Sequence, residues 1–236
     1  MTEDKKTSRV HLKAITQDNN LTYMFSALMI LLLSTALLDE LRLPWLFAVV
    51  DIIIVFVLLL SINSLTVGRS WRKEIYILVS FMIFLLISRD VLIASEYVDY
   101  LQLVILLLFF TGSYIVLISQ ILHSSEVDAN MIIGSIALFL LLGLIWTVIY
   151  LLLLMVFPDA FTGLTTAPWQ ENFSQVSYFS FVTLTTLGYG DISPKNSISE
   201  FFVYTEAIVG VFYMAIVVST LVSARLETLH FNKRNQ

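Results

Sequence analysis

"TLTTLGYGDI", residues 183–192, sits between two long apolar stretches and sets two glycines, a tyrosine and an aspartate into an otherwise strongly apolar chain. Of the 236 residues, 58% are hydrophobic and 13% charged, against about a quarter charged in an ordinary soluble domain. Such a composition belongs in a bilayer. The net charge of −5 is unclustered and gives no footprint for nucleic acid, and the absence of cysteine excludes a disulfide framework and a thiolate metal site.

Working outward from the glycines, the segment 158–198 is too long for a hairpin and too apolar in its middle for a solvated loop. "NFSQVSYFSFVTLTT" reads as a short helix starting at Asn172 or Ser174, either of which can accept from the first free N–H groups. It is too short to cross, so the chain re-enters and turns back after Thr186. Irregular backbone at membrane depth is tolerated only where it is buried in protein or lines water. The glycine-rich segment therefore lines something wet.

A crossing helix needs roughly 20 apolar residues, and six stretches qualify or nearly do: 21–38, 44–65, 75–94, 101–122, 131–157 and 199–223. Lys5, Lys6, Arg9 and Lys13 precede the first, but it ends in "LLDELR" and lacks a cleavage site, so it reads as a retained helix rather than a signal. With the N-terminus inside, ten Lys and Arg fall on the inner side and three (Arg42, Arg89 and Lys195) on the outer. That asymmetry predicts both termini in the cytoplasm and an even number of crossings.

Taking a small cation out of water costs tens of kcal/mol unless other dipoles replace its hydration. A row of backbone carbonyls facing one way can do so, and glycine at alternate positions tolerates the positive φ that turns successive carbonyls to the same side. In "TLGYG", Gly188 and Gly190 alternate with Leu187 and Tyr189, whose side chains are expected to turn outward as wedges against the short helix, while Thr186 adds a hydroxyl at the inner end.

These residues strongly resemble the filter of the potassium channel family, usually Thr-Val-Gly-Tyr-Gly followed by Asp; the one departure is Leu187 in the valine position. The resemblance covers roughly 131–226. It implies K+ coordination at Thr186, Leu187, Gly188 and Tyr189 within a filter that ends at Gly190, with Asp191 at the outer mouth and Val182 and Thr185 among the supports behind it. It also implies a ring of four chains, since one filter strand cannot enclose an axis. In some relatives a glutamate or a tryptophan behind the filter braces the mouth aspartate; the corresponding positions resemble Val182 and Tyr178, of which only Tyr178 can donate, so a Tyr178–Asp191 contact is expected. Gly210 follows Thr186 at the spacing of the family's inner-helix glycine, where it serves either as a bend point or as a site of close helix packing.

Three intramembrane charges require partners. Glu206 either faces pore water, hydrogen-bonds the Thr183/Thr185 region, or locks inner helix to pore helix as a protonated or paired residue, the last being favoured. Asp51 and Arg89 lie at depths that allow an ion pair fixing helix register. The fourth stretch, "LQLVILLLFFTGSYIVLISQIL", carries no charge, so a membrane field has no gating arginines to pull on. Asp159, Glu171 and Asp191, offset by Lys195, surround the outer mouth. His11, His123 and His230 are scattered, and no catalytic constellation is expected.

The sequence thus predicts an all-α membrane protein of six spans, a re-entrant pore helix and a filter loop. Its parts are a cytoplasmic segment 1–20, a four-helix block 21–122, a linker 123–130, a pore domain 131–226 and a short tail 227–236, too short for a built-in ligand-sensing module. Expected function is passive, potassium-selective conduction in the cell membrane by a homotetramer, without cofactor and without intrinsic voltage gating, a lipid or other ligand remaining open as stimulus. A weakly selective cation channel and a membrane sensor or scaffold with a silent pore are the alternatives; an ion-uptake subunit usually carries four pore repeats, where this chain has one.

Overall fold

The computed structural model describes residues 20–41, 49–56, 69–88, 95–122, 129–164 and 167–219. In chain order these form helix α1 (Asn20–Leu41), a helical segment α2 (49–56), α3 (Arg69–Ser88), α4 (Ser95–Leu122), α5 (Ala129–Val156), strand β1 (Phe161–Thr162), α6 (Trp169–Leu184), strand β2 (Ser193–Pro194) and α7 (Ser197–Tyr213). A π-helical turn, Met214–Val218, continues α7.

Among the described residues four helices are long and apolar enough to cross a membrane, over Leu21–Leu41, Tyr97–Leu122, Asn130–Val156 and Ser197–Ile216. They make this a multi-pass, mostly helical membrane protein in its described part. The expected second span at 44–65 lies largely outside the described residues, of which 49–56 are helical. The expected third is represented by α3, whose apolar run is Tyr76–Leu85; the basic "RSWRK" read as an inner loop is its first turns. Of the linker 123–130, residues 123–128 lie outside the described set, and Ala129 and Asn130 already belong to α5.

α5 is apolar all round, as befits a helix covered on several sides. It packs against α4, α1 and α6, and more lightly against α7. α1 lies on α6 as well as on α5. The buried hydroxyls of Thr35, Ser135 and Thr147 donate back to the carbonyls of Leu31 (3.0 Å), Met131 (3.0 Å) and Gly143 (2.8 Å), one turn earlier on their own helices. This satisfies a polar group with no partner from outside the helix.

α6 starts about a turn earlier than either expected cap. Its N-cap is Pro168, whose carbonyl accepts the N–H groups of Glu171 (3.0 Å) and Asn172 (3.3 Å). No side chain caps this end; proline's preset φ suits the chain to enter the helix there, and the Asn172 amide turns instead to the Ala167 carbonyl at 3.2 Å. α7 begins with a capping box, the Asn196 side chain accepting from the Ser199 N–H while the Ser199 hydroxyl accepts from the Asn196 N–H. β1 and β2 pair antiparallel, Phe161 opposite Pro194 and Thr162 opposite Ser193. The Ser199 hydroxyl (2.9 Å) and the Lys195 N–H (2.8 Å) both donate to the Ala160 carbonyl. The chain leaving α5 is thereby clipped to the chain entering α7, which fixes the loop between α6 and β2.

Candidate functional site

That loop, residues 185–191, is irregular backbone and is exposed throughout. Its φ is positive at Thr186 (59°), Gly188 (57°) and Gly190 (82°), and at neither Leu187 nor Tyr189. In an ordinary strand successive carbonyls point to opposite sides; reversing handedness at every second residue cancels the alternation, so N–H groups converge on one side and carbonyls on the other. The hydrogen bonds identify the sides. The N–H groups of Thr185, Thr186, Leu187 and Gly188 donate to Phe181 (3.0 Å), Thr183 (2.9 Å) and, for the last two, Val182 (2.9 and 3.3 Å) at the end of α6. No hydrogen bond is made to the carbonyls of residues 186–190 among the described residues. A non-glycine residue with left-handed φ is strained by about 1–3 kcal/mol, and Thr186 is held there by the bonds on either side of it.

The result is a short rail of unpaired carbonyl oxygens, backed by the last turn of α6. Thr185 and Val182 stand at the back of it, Thr185 also returning its hydroxyl to the Phe181 carbonyl at 2.7 Å. Within the single chain the side chains of Leu187 and Tyr189 are 56% and 67% exposed.

The structure brings Tyr178 and Asp191 together: the phenol donates to the aspartate Oδ2 at 2.8 Å, and the Ile192 N–H donates to Oδ1 at 3.1 Å. The Asp191 carboxylate first, then loss of hydration, raises the Tyr178 pKa above its ordinary 10.0. The contact is therefore complete below the ordinary phenol value and is lost as pH rises through the raised one. Replacing Tyr178 by Phe removes this exposed hydrogen bond and should be seen as faster inactivation in a flux record; unchanged inactivation would remove the contact's role. At the rim Lys195 and Asp159 approach to 4.0 Å with both side chains well exposed, an ion pair worth little.

Glu206 is fully buried and reaches neither water nor Thr183 and Thr185. Its carboxyl meets the Tyr150 hydroxyl of α5 and, at 2.6 Å, the Ser180 hydroxyl of α6. Gly210, one turn on, lies where a Cβ would come within 2.0 Å of the Leu184 carbonyl oxygen. α7 therefore packs closely on the end of the helix that leads into the loop. The Tyr213 hydroxyl donates to the Ser135 carbonyl and fastens α7 to α5. Asp51 is buried on α2, and its expected partner Arg89 lies outside the described residues.

Tyr150, Ser180 and Ser135 were not singled out in the sequence. The available signal was a hydroxyl in an otherwise apolar run, which helices also satisfy internally. Among the described residues no cluster of His, Cys, Asp or Glu is placed to hold a metal ion.

No curated protein and no solved structure matches the chain. Residues 136–226, which hold most of α5 together with α6, the carbonyl rail and α7, match a family model described as ion channel, and passive conduction of ions across a membrane is the activity this part of the chain supports.

Proposed function

We propose that the protein is the subunit of a potassium-selective channel, four copies surrounding one axis in the cell membrane with both termini in the cytoplasm. The observation that carries this reading is the alternation of left-handed φ at Thr186, Gly188 and Gly190 with the N–H groups turned into α6. Carbonyl oxygens with no protein partner replace the water that K+ sheds, at Thr186, Leu187, Gly188 and Tyr189, with Gly190 closing the filter. Asp191, held by Tyr178, faces the outer entrance.

Assembly into a ring is supported by what one chain leaves bare. Leu187 and Tyr189 at the loop and Phe201, Tyr204, Ile208 and Val211 on α7 are all exposed large hydrophobics. Bare carbonyls beside them at membrane depth are tolerable only around a wet, enclosed path, which neighbouring copies supply. Absence of charge from residues 101–122 supports conduction that is not driven by voltage. No cofactor is called for beyond the permeant ion.

The test is flux from purified protein in liposomes of defined lipid, with reversal potentials in mixed K+ and Na+. A reversal near the K+ equilibrium potential, and a shallow dependence on voltage, are the expected results. A reversal near zero would replace this reading with a weakly selective cation channel. No flux from an intact tetramer would replace it with a sensor or scaffold.

A further inference from the structure

Ser180 has one proton and two oxygen neighbours. Its hydroxyl lies 2.8 Å from the Gly143 carbonyl of α5 and 2.6 Å from Glu206 Oε1 of α7. Tyr150, also fully buried, directs its own proton to Oε2. If the carboxyl is ionised, Ser180 must give its proton to one neighbour and stand against the other oxygen with no proton between them. A carboxyl proton on Oε1 removes the conflict: Tyr150 donates to Oε2, Glu206 donates to Ser180, and Ser180 donates to Gly143. Every proton is then used once.

The surroundings agree. The described ion pair lies at the outer rim, between Lys195 and Asp159, and among the described residues no Lys, Arg or His contacts Glu206. The groups that face it are Tyr150 from α5 and Ser180 from α6, the second without charge in either state. Rings of Phe161 and Phe179 each stand 5.3 Å from the Tyr150 ring and close the site from water. An uncompensated carboxylate in such a place is expensive.

We infer that Glu206 works as a neutral acid, a hydrogen-bond clamp that joins α5, α6 and α7 behind the carbonyl rail and so positions it. Ser180 precedes Phe181, Val182 and Thr183, whose carbonyls take the N–H groups of the loop. Fixing Ser180 against both neighbouring helices fixes the backbone that holds the rail. The clamp itself follows from the hydrogen bonds alone; its bearing on conduction rests on the channel reading.

The experiment compares wild type, Glu206→Gln and Glu206→Ala as purified, reconstituted full chains. Glutamine reproduces the neutral acid, its amide donating to Ser180 and its oxygen accepting from Tyr150. It should keep the wild-type melting temperature, oligomeric state and K+ flux within about twofold, whereas alanine, which orphans the buried Tyr150 hydroxyl and unties Ser180 from α7, should lower the melting temperature and reduce flux about tenfold or more. The infrared difference between wild type and Glu206→Gln at neutral pH should contain a protonated-carboxyl C=O band that shifts in D2O. A carboxylate band in its place, or a glutamine variant as impaired as alanine, overturns the inference. Where the alanine variant fails to assemble, the infrared difference decides alone. Melting and infrared readings do not depend on conduction, so a wild type that carries no K+ defeats the channel reading and leaves the clamp to be judged on those two.

Discussion

Gly190→Asp should abolish K+ flux, lowering it at least about 100-fold, while leaving the chain folded. The φ of 82° at this position costs an L-residue about 1–2 kcal/mol, and a fourfold ring would incur it four times around one ion path. Within its own chain nothing lies within 4 Å of where the new Cβ would be, so no clash inside the chain accounts for the effect. It comes from the backbone: relaxing the strain means giving up left-handed φ, which turns one carbonyl of the rail to the other side and interrupts the alternation begun at Thr186. An aspartate side chain also competes for local N–H groups, beside the carboxylate Asp191 that Tyr178 already holds. The measurement is liposome K+ flux against wild type, with size and melting temperature as controls for folding. Flux and reversal potential within twofold of wild type would mean that the backbone at Gly190 is not part of the conducting path.

What could be read from the residues in advance was whatever depends on local chemistry or on bilayer thickness. Apolar stretches of membrane length fall where α1, α4, α5 and α7 are, because composition alone decides whether a segment prefers lipid. The glycine alternation was legible for a similar reason, since tolerance of positive φ belongs to the residue itself. The start of α6 was not. Asn172 and Ser174 have the chemistry of caps, but Pro168 sits upstream with its φ preset and its carbonyl free to take two N–H groups. The partners of Glu206 were out of reach for another reason. Tyr150 is 56 residues away in sequence and Ser180 is 26, and only the relative rotation of three helices brings them to one carboxyl.

Gly210→Ala should destabilise the chain strongly. A Cβ there would sit 2.0 Å from the Leu184 carbonyl oxygen, 2.9 Å from its carbon and 3.2 Å from its Cα. None of these atoms belongs to a flexible side chain. Either α7 moves outward, breaking the contact of Glu206 with Ser180 one turn away, or the last residue of α6 moves, and with it the turn that supplies acceptors to Thr185 through Gly188. Overpacking that must be relieved by backbone displacement costs about 1–3 kcal/mol, occasionally more. Here each route of relief also loses buried hydrogen bonds at about 1–3 kcal/mol for each group orphaned. With one group orphaned the sum is about 2–6 kcal/mol, which predicts a lowered melting temperature, reduced assembly and near-complete loss of flux. A bend-point role predicts otherwise: alanine is the better helix former, so it would stiffen α7, preserve or raise stability, and change only how often the pore opens. The two outcomes separate on one melting curve, because packing at Leu184 requires destabilisation and flexure does not. The π-helical turn at Met214–Val218, just past Gly210, then remains the place where α7 departs from regular geometry, and helices bend at such turns without help from a glycine.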